Sequence, residues 1–329
     1  MMIDPETNTA FTPQACVYGP PPVEPKRMAL PQFGLEKVGP LARKRTDLYL
    51  IGMPGCGKSS LLAGVLKYMT EAKALRYGAP SGTNGNDICQ AYYKGLVEGL
   101  CERKLPQPTK TDTLVPMQFD IGPRHKQPIT VVEHSGKALK ALSDAFITGG
   151  EAWEKIDVGR CLKNDNPKML LFLFDYHILT GRDSRFSAIE QEQVLGNALD
   201  VFNSDGTGQY GEKNSTMSRV RNVAIVITKS DLMEKERGCP LSYDERNDIA
   251  FQYMQDRCSG FMNNLSDLCG KYGINADSKE HALEILVTTF SLGRFEGENL
   301  VKPNTADAKR LSEYIMASAP KKHGLFGRL

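Results

Sequence analysis

Apolar residues along this chain fall into two alternating rhythms. The first is the short unbroken run: Leu48 to Ile51, Ile129 to Glu133, Lys168 to Asp175, Asn222 to Ile227 and Leu283 to Phe290. Runs of this length and β-branched content predict strands buried on both faces, and residues 168–175, the most continuous, predict a central one. The second rhythm places apolar residues three and four apart and predicts helices. One covers Ser59 to Ala74 (Leu61, Leu62, Val65, Leu66, Met69) and another Asp87 to Arg103 (Ile88, Tyr92, Leu96, Leu100). A third starts near Arg185 and turns Ile189, Val194, Leu195, Ala198, Leu199 and Phe202 to the sheet. A long one runs from Tyr243 to Lys271, and the last from Thr305 to Met316. Residues 137–148 read as helical or irregular. Val115 to Ile121 alternates only partly and holds Pro116, which predicts a strand at a sheet edge. Strands that alternate with helices predict an α/β fold of three layers, a mostly parallel central sheet covered by helices on both faces. On such sheets ligands bind at the carboxyl ends of the strands.

Both ends of the chain lack this pattern. Residues 1–44 hold eight prolines between Pro5 and Pro40 and no apolar periodicity, which predicts an extended, partly disordered N-terminal extension. Residues 45–318 read as one domain with insertions, with no internal repeat and no second boundary. Asp205 to Ser218 reads as a surface loop, and residues 319–329 as a short basic tail.

Composition excludes more than it identifies. The chain has 329 residues, 40% of them apolar and 24% charged, with 41 Lys and Arg against 39 Asp and Glu. A net charge of +2 offers no global field for nucleic acid. No apolar run approaches the ~20 residues that cross a bilayer, and the N-terminus lacks the basic start and apolar core of a secretory signal. The eight cysteines stand singly, which argues for reduced thiols and a cytoplasmic setting over a disulfide framework or a zinc site. The tail, with Leu325 and Phe326 beside few basic residues, predicts at most weak attraction to a membrane surface.

The chemistry concentrates where strands end. After the first strand comes Gly52-Met53-Pro54-Gly55-Cys56-Gly57-Lys58-Ser59-Ser60, the pattern G-x-x-x-x-G-K-S between a strand and a helix. Its glycines let successive backbone N–H groups turn inward as an anion nest, and the following helix adds the positive end of its dipole. Lys58 is placed to reach the outer phosphates of a nucleotide and Ser59 to give its hydroxyl to a magnesium ion. Later strands end in Glu133-His134-Ser135-Gly136, in Thr228-Lys229-Ser230-Asp231 and in Ser291-Leu292-Gly293. Taken alone, Thr228-Lys229-Ser230-Asp231 fits a simple helix cap equally well.

In order and spacing these motifs resemble the Ras-like P-loop GTPase superfamily over roughly residues 45–318, and within it bacterial GTPase-domain and double-GTPase-like proteins. The resemblance implies a three-layer P-loop NTPase fold, the G-domain, that binds GTP or GDP with Mg2+. Residues 52–60 would hold the phosphates; Thr228, Lys229 and Asp231 would hold the base, with Ser291 and Leu292 on the turn that contacts the guanine oxygen. Asp231 can accept two hydrogen bonds from guanine, whereas adenine has no such donor pair and would leave a desolvated carboxylate unpaired. Glu133 stands where the family has an aspartate that holds magnesium through water. Gly136 would donate to the γ-phosphate, and a threonine, Thr109 in preference to Thr111, would cap the metal. The family's water-orienting glutamine is absent: Lys137 occupies its position, His134 is the candidate substitute, and slow hydrolysis is the expectation. The resemblance also implies a regulatory or effector protein that reads the switch, with the Asp87 to Arg103 helix and the Asp205 to Ser218 loop as places to touch it. Two other readings compete. An ATP-dependent P-loop kinase or ATPase would use Asp175, which ends an apolar strand, as its magnesium carboxylate; a nucleotide-bound scaffold would not turn over.

Overall fold

A computed structural model describes residues 2–3, 10–11, 27–34, 36, 40–78, 85–110, 113–124, 127–148, 157–204, 215–275, 285–296 and 299–319. Its centre is a seven-stranded sheet made of β1 (Thr46–Gly52), β2 (Leu75–Tyr77), β3 (Leu114–Ile121), β4 (Gln127–His134), β5 (Lys168–Asp175), β6 (Val220–Thr228) and β7 (Leu286–Phe290), in the order β7-β6-β5-β1-β4-β3-β2. The five strands from β7 to β4 are mutually parallel; β3 runs against β4, and β2 against β3.

Strand alternation divides the core into two layers. Leu48, Leu50, Leu171 and Leu173 face one side, under α1 (Lys58–Glu71), α2 (Gly85–Cys101) and a helix at the end of the domain. Tyr49, Ile51, Phe172 and Phe174 face the other, under α3 (Gly136–Ile147), α4 (Ala188–Asn203), α5 (Asp231–Arg237), α6 (Tyr243–Arg257) and α7 (Ser259–Tyr272). The helix that closes the domain is α8 (Thr305–Ser318), entered through a hairpin of β8 (Gly293–Glu296) and β9 (Asn299–Pro303). All eight residues of β5 are buried, as a central strand requires. In α1 the five apolar positions read from the sequence are all buried, each contributing roughly 1.5–3 kcal/mol.

Four expectations need correction. The strand with Pro116 is not at the edge, because the three-residue β2 lies outside it. However, β2 pairs only with Phe119, Asp120 and Ile121, so the proline, which has no N–H, sits beyond the reach of that neighbour. The long helix from Tyr243 is two helices. Cys258 leaves helical geometry (φ −136°, ψ 34°) ahead of Ser259-Gly260, and the break lets the Phe261 amide donate to Glu192 of α4 at 3.0 Å. The Phe261 ring then packs edge-on against Phe172 and Phe174. Helix α4 begins at Ala188, not near Arg185: Ser187 accepts a hydrogen bond from the Glu190 amide at 3.1 Å and caps it. Ile189, expected to face the sheet, is 66% exposed on its first turn.

Residues 27–34 form a strap. Arg27 and Met28 pair in parallel with Leu105 and Pro106, while Met28, Leu30 and Phe33 are buried against the α2 side of the core. Any Cβ on Gly95 or Gly99 would meet Leu30 or Met28 at 2.8 Å, so these two glycines of α2 make the groove in which the strap lies. No periodic signal marks it, because an extended segment needs only the three apolar contacts of Met28, Leu30 and Phe33 to dock. Thr111, the Gly149-Gly150 pair, residues 205–214 and residues 320–329 of the basic tail lie outside the described residues. No helix of the described residues is long and apolar enough to cross a membrane.

Candidate nucleotide site

A cleft of about 640 Å³ opens at the carboxyl ends of β1, β4, β5, β6 and β7, within the size range of small-molecule sites. Its floor is the loop between β1 and α1. Gly55 (φ 78°) and Gly57 (φ 89°) both adopt left-handed geometry, which carries the backbone around the curl. No side chain caps α1, whose first residue follows Gly57, so the helix presents its N-terminal amides to the cleft. Pro54, Gly55, Gly57, Lys58, Ser59 and Ser60 line the cleft; Gly52 and Cys56 lie beneath it. Gly52 is there for space, since a Cβ would meet Cys56 Sγ at 2.5 Å. Lys58 is buried and its Nζ donates to the carbonyls of Gly52 (2.8 Å) and Met53 (3.0 Å).

Three residues distant in sequence meet at Ser59. Its hydroxyl donates to Glu133 Oε1 at 2.5 Å and lies 3.2 Å from Thr109 Oγ1. Glu133 is fully buried behind Ser59, and its other oxygen, Oε2, has no partner. Burial raises the Glu133 carboxyl above its ordinary range, against the opposing pull of the Ser59 hydrogen bond and the Lys58 charge. A buried carboxylate with an orphaned oxygen, beside two hydroxyls, is a donor set suited to a hard cation. No group of three His, Cys, Asp or Glu side chains gathers among the described residues, so an ion here would complete its shell from phosphate and water. Thr113, in contrast, gives its hydroxyl to Gln32 of the strap at 2.7 Å, and Gln32 also accepts from the Lys110 amide at 2.9 Å. The strap thus holds the loop that carries Thr109.

Alternation along β4 sends His134 the opposite way from Glu133. His134 is 1% exposed and does not line the cleft; Nδ1 bonds the Ser135 carbonyl at 3.0 Å and Nε2 has no partner. Burial and the nearby Lys58 charge push the imidazole down to about 4, so it is neutral at pH 7. Its enclosure removes it from the place where it was expected to orient a water; Lys137, exposed, lines the cleft instead. Gly136 is pressed against the loop: a Cβ there would sit 2.3 Å from the Pro54 nitrogen and 2.5 Å from the Met53 carbonyl carbon. Gly136→Ala is therefore expected to displace the loop and destabilise the protein by about 1–3 kcal/mol. A thermal melt that matches wild type would show that this contact is not tight.

At the other end of the cleft, Thr228 Oγ1 donates to the Cys56 carbonyl (2.7 Å) and ties β6 to the loop. Lys229, in left-handed geometry (φ 58°), extends to Asp175 Oδ2 at 2.5 Å. Asp175 is wholly buried, and its other oxygen caps a short helix through the His177 amide at 2.9 Å. Asp231 lines the cleft, with one oxygen held by Ser291 Oγ at 3.0 Å; burial raises its carboxyl and the Ser291 bond opposes this. Ser291 itself does not line the cleft, whereas Leu292 does. The Ser291 amide donates to Asp307 of α8 (3.1 Å), and Asp307 is bound in turn by Arg246 of α6 (2.7 Å), so two helices brace this turn.

The sequence reading passed over several lining residues: Arg27 on the strap, Leu232 and Lys235 on α5, Phe295 on β8, and Arg185. For Arg185 a signal existed. Ser187 followed by Glu190 is the S-x-x-E pattern of a helix start, which places Arg185 in the loop before α4. Its guanidinium is gripped by Asp183 (Nε–Oδ1 3.1 Å, Nη2–Oδ2 2.7 Å), and this draws the Asp183 carboxyl down to about 2. With Lys58, Lys137, Lys229, Lys235 and Arg27, the cleft carries, among the described residues, six cationic side chains against the one carboxylate of Asp231.

No family model matches this sequence, and no curated protein does. Among solved structures it is similar to the signal recognition particle receptor SRb-GTP/SRX complex from Chaetomium thermophilum, at 13% identity and a TM-score of 0.41, over 84% of this chain and 99% of that one. An overlap this loose fixes neither a family nor an activity.

Proposed function

We propose that the cleft binds a guanine nucleotide with Mg2+, and that the protein is a slow GTPase of the Ras-like P-loop type whose bound nucleotide acts as a switch. The observation that carries this reading is the pair of opposed ends. An amide-lined loop with a lysine and a Ser59–Glu133 contact lies at one end, and the Asp231 carboxylate at the other. Asp231 keeps acceptor capacity that Ser291 does not use, and guanine N1–H and its exocyclic amine match it. The simpler reading of Thr228-Lys229-Ser230-Asp231 as a helix cap is weakened, because Ser230 at the cap position makes no side-chain cap bond.

Within this reading Ser59, Thr109 and Glu133 would hold the ion between them. Bound there, Mg2+ would neutralise charge on the outer phosphates. Lys58 and the loop amides hold the β- and γ-phosphates, and the Gly136 amide, fixed against Pro54, meets the γ-phosphate. Lys137 has no acceptor to take a water proton, and His134 is enclosed, so hydrolysis is slow. A loop that carries Thr109 and is held by the strap gives the nucleotide a means of signalling to a protein partner, and α2, which extends beyond the needs of nucleotide binding, is a surface for one.

The ATPase or kinase reading needs Asp175 free for a metal. Instead its two oxygens are taken by Lys229 and by a helix cap, and Glu133 is the carboxylate at Ser59. Titration of the full chain with GTP, GDP and ATP in Mg2+ tests the proposal. GTP and GDP should bind at least about 100-fold more tightly than ATP, and phosphate should be released slowly at saturating GTP. Equal binding of GTP and ATP, or no binding of either, would overturn it; tight GTP binding with no phosphate release would leave the non-hydrolysing scaffold.

A further inference from the structure

Between the end of β5 and the cap of α4 the chain makes an excursion. It takes one helical turn at Tyr176–Leu179, bends at Gly181 (φ 72°), and reaches Arg185 before Ser187. This brings the Arg185 guanidinium over the phosphate loop: a Cβ placed on Gly55 would lie 3.2 Å from Nη1 and 3.3 Å from Nη2. Gly136 presses on Pro54, the preceding residue, so the γ-phosphate end of the proposed site and the arginine meet at one short stretch of backbone. The grip is directional. Asp183 takes Nε and Nη2, and its Oδ1 also accepts the Arg185 amide at 2.8 Å. Among the described residues Nη1, the nitrogen closest to Gly55, makes no hydrogen bond, and a two-point clamp on one edge of the planar fork fixes where the other edge points. The pair sits 56% and 4% exposed, so the carboxylate is sheltered and the guanidinium faces the cleft.

We propose that Arg185 is a catalytic residue of GTP hydrolysis, a positive charge supplied from within the chain, and that Asp183 is its positioning residue; this rests on the reading of the cleft given above. In the step concerned, a water oxygen bonds to the γ-phosphorus and the bond from that phosphorus to the β–γ bridging oxygen breaks. The electron pair stays with GDP, and the water's protons leave with inorganic phosphate and to solvent. Negative charge grows on the bridging oxygen as the bond opens, and a guanidinium held beside Gly55 stabilises it more in the transition state than in bound GTP. Asp183 keeps Arg185 from losing that geometry to the solvent, which would otherwise cost a long side chain much of its advantage.

The test uses the full chain and two readouts. In single-turnover hydrolysis with Mg2+, Arg185→Ala should lose at least about tenfold in rate, while its Kd for GTP and for GDP shifts by less than about threefold. Arg185→Lys should not restore the rate, because the clamp requires the fork, and Asp183→Asn should show an intermediate loss. In the second readout, wild type loaded with GDP should bind aluminium fluoride, a planar mimic of the transferring phosphoryl group, and Arg185→Ala should not. A wild-type rate in Arg185→Ala, or equal aluminium fluoride binding by both proteins, overturns the arginine's role alone. Absence of GTP binding by wild type overturns the reading of the cleft and this role with it.

Discussion

Asp231→Ala is expected to lose about 100- to 1,000-fold in affinity for GTP and GDP while its weak affinity for ATP holds or rises. The Asp231 carboxylate lines the cleft in a partly desolvated position, with Ser291 bound to one oxygen. Two hydrogen bonds from guanine to a charged acceptor are stronger than neutral ones, and their loss also leaves the purine edge without partners in the cleft. Adenine never made these bonds and left the carboxylate desolvated and unpaired, so removing the carboxylate does not weaken it. The fold should survive, because Asp231 is the first residue of α5 and the Ser291 turn is independently braced by Asp307 and Arg246. Asp231→Asn sharpens the test. Its amide presents one donor and one acceptor, a pattern that suits xanthine, which carries an oxygen where guanine has the exocyclic amine. That variant should therefore prefer xanthosine over guanosine nucleotides. Isothermal titration with GTP, ATP and xanthosine triphosphate checks both variants, and full GTP affinity in Asp231→Ala would refute the guanine reading.

The strands of the parallel sheet were legible because a strand buried on both faces is written as an unbroken apolar run, and residues 168–175 are such a run from end to end. The loop between β1 and α1 was legible because its glycines are demanded by backbone geometry: Gly55 and Gly57 sit at positive φ, and neither spacing nor type leaves much freedom. What escaped depends on contacts between distant segments. The edge position was assigned to the strand of Pro116 because nothing local announces β2, three residues long and defined only by its pairing with Phe119, Asp120 and Ile121. The break at Cys258 is set by where Phe261 must go to reach Phe172 and Phe174, not by helix propensity. Likewise, the meeting of Ser59, Thr109 and Glu133 spans 74 residues, and a motif can name its members without showing that they touch. His134 shows the opposite limit. Sequence adjacency to Gly136 made it a candidate for the cleft, and a strand's two-residue period put it on the far face.

Glu133→Gln should stabilise the metal-free protein and at the same time weaken magnesium-dependent GTP binding by about 10- to 100-fold. The first half follows from burial. Glu133 is fully enclosed, Oε2 has no partner, and its carboxyl is held above the ordinary range. A carboxyl whose folded pKa is raised binds its proton more tightly folded than unfolded, so the metal-free protein loses stability as pH rises from the unfolded pKa through the folded one. Glutamine has the same shape and no charge to desolvate, so that penalty is removed at neutral pH. The melting temperature of Glu133→Gln should thus exceed that of wild type at pH 7, with the difference shrinking as pH falls from the raised folded pKa toward the unfolded carboxyl range and gone below it. The second half follows from the proposed metal site. A divalent ion there would repay the buried carboxylate, so its binding would displace the proton and the affinity of wild type for GTP with Mg2+ should rise with pH. The glutamine variant should show a flatter pH profile and a higher half-saturating Mg2+ concentration. Thermal melts across pH without metal, and GTP titrations across Mg2+ concentration, measure the two halves separately. If the variant were no more stable, the buried charge costs the fold nothing; if it kept the wild-type dependence on Mg2+, Glu133 does not serve the ion and the Ser59 contact is structural.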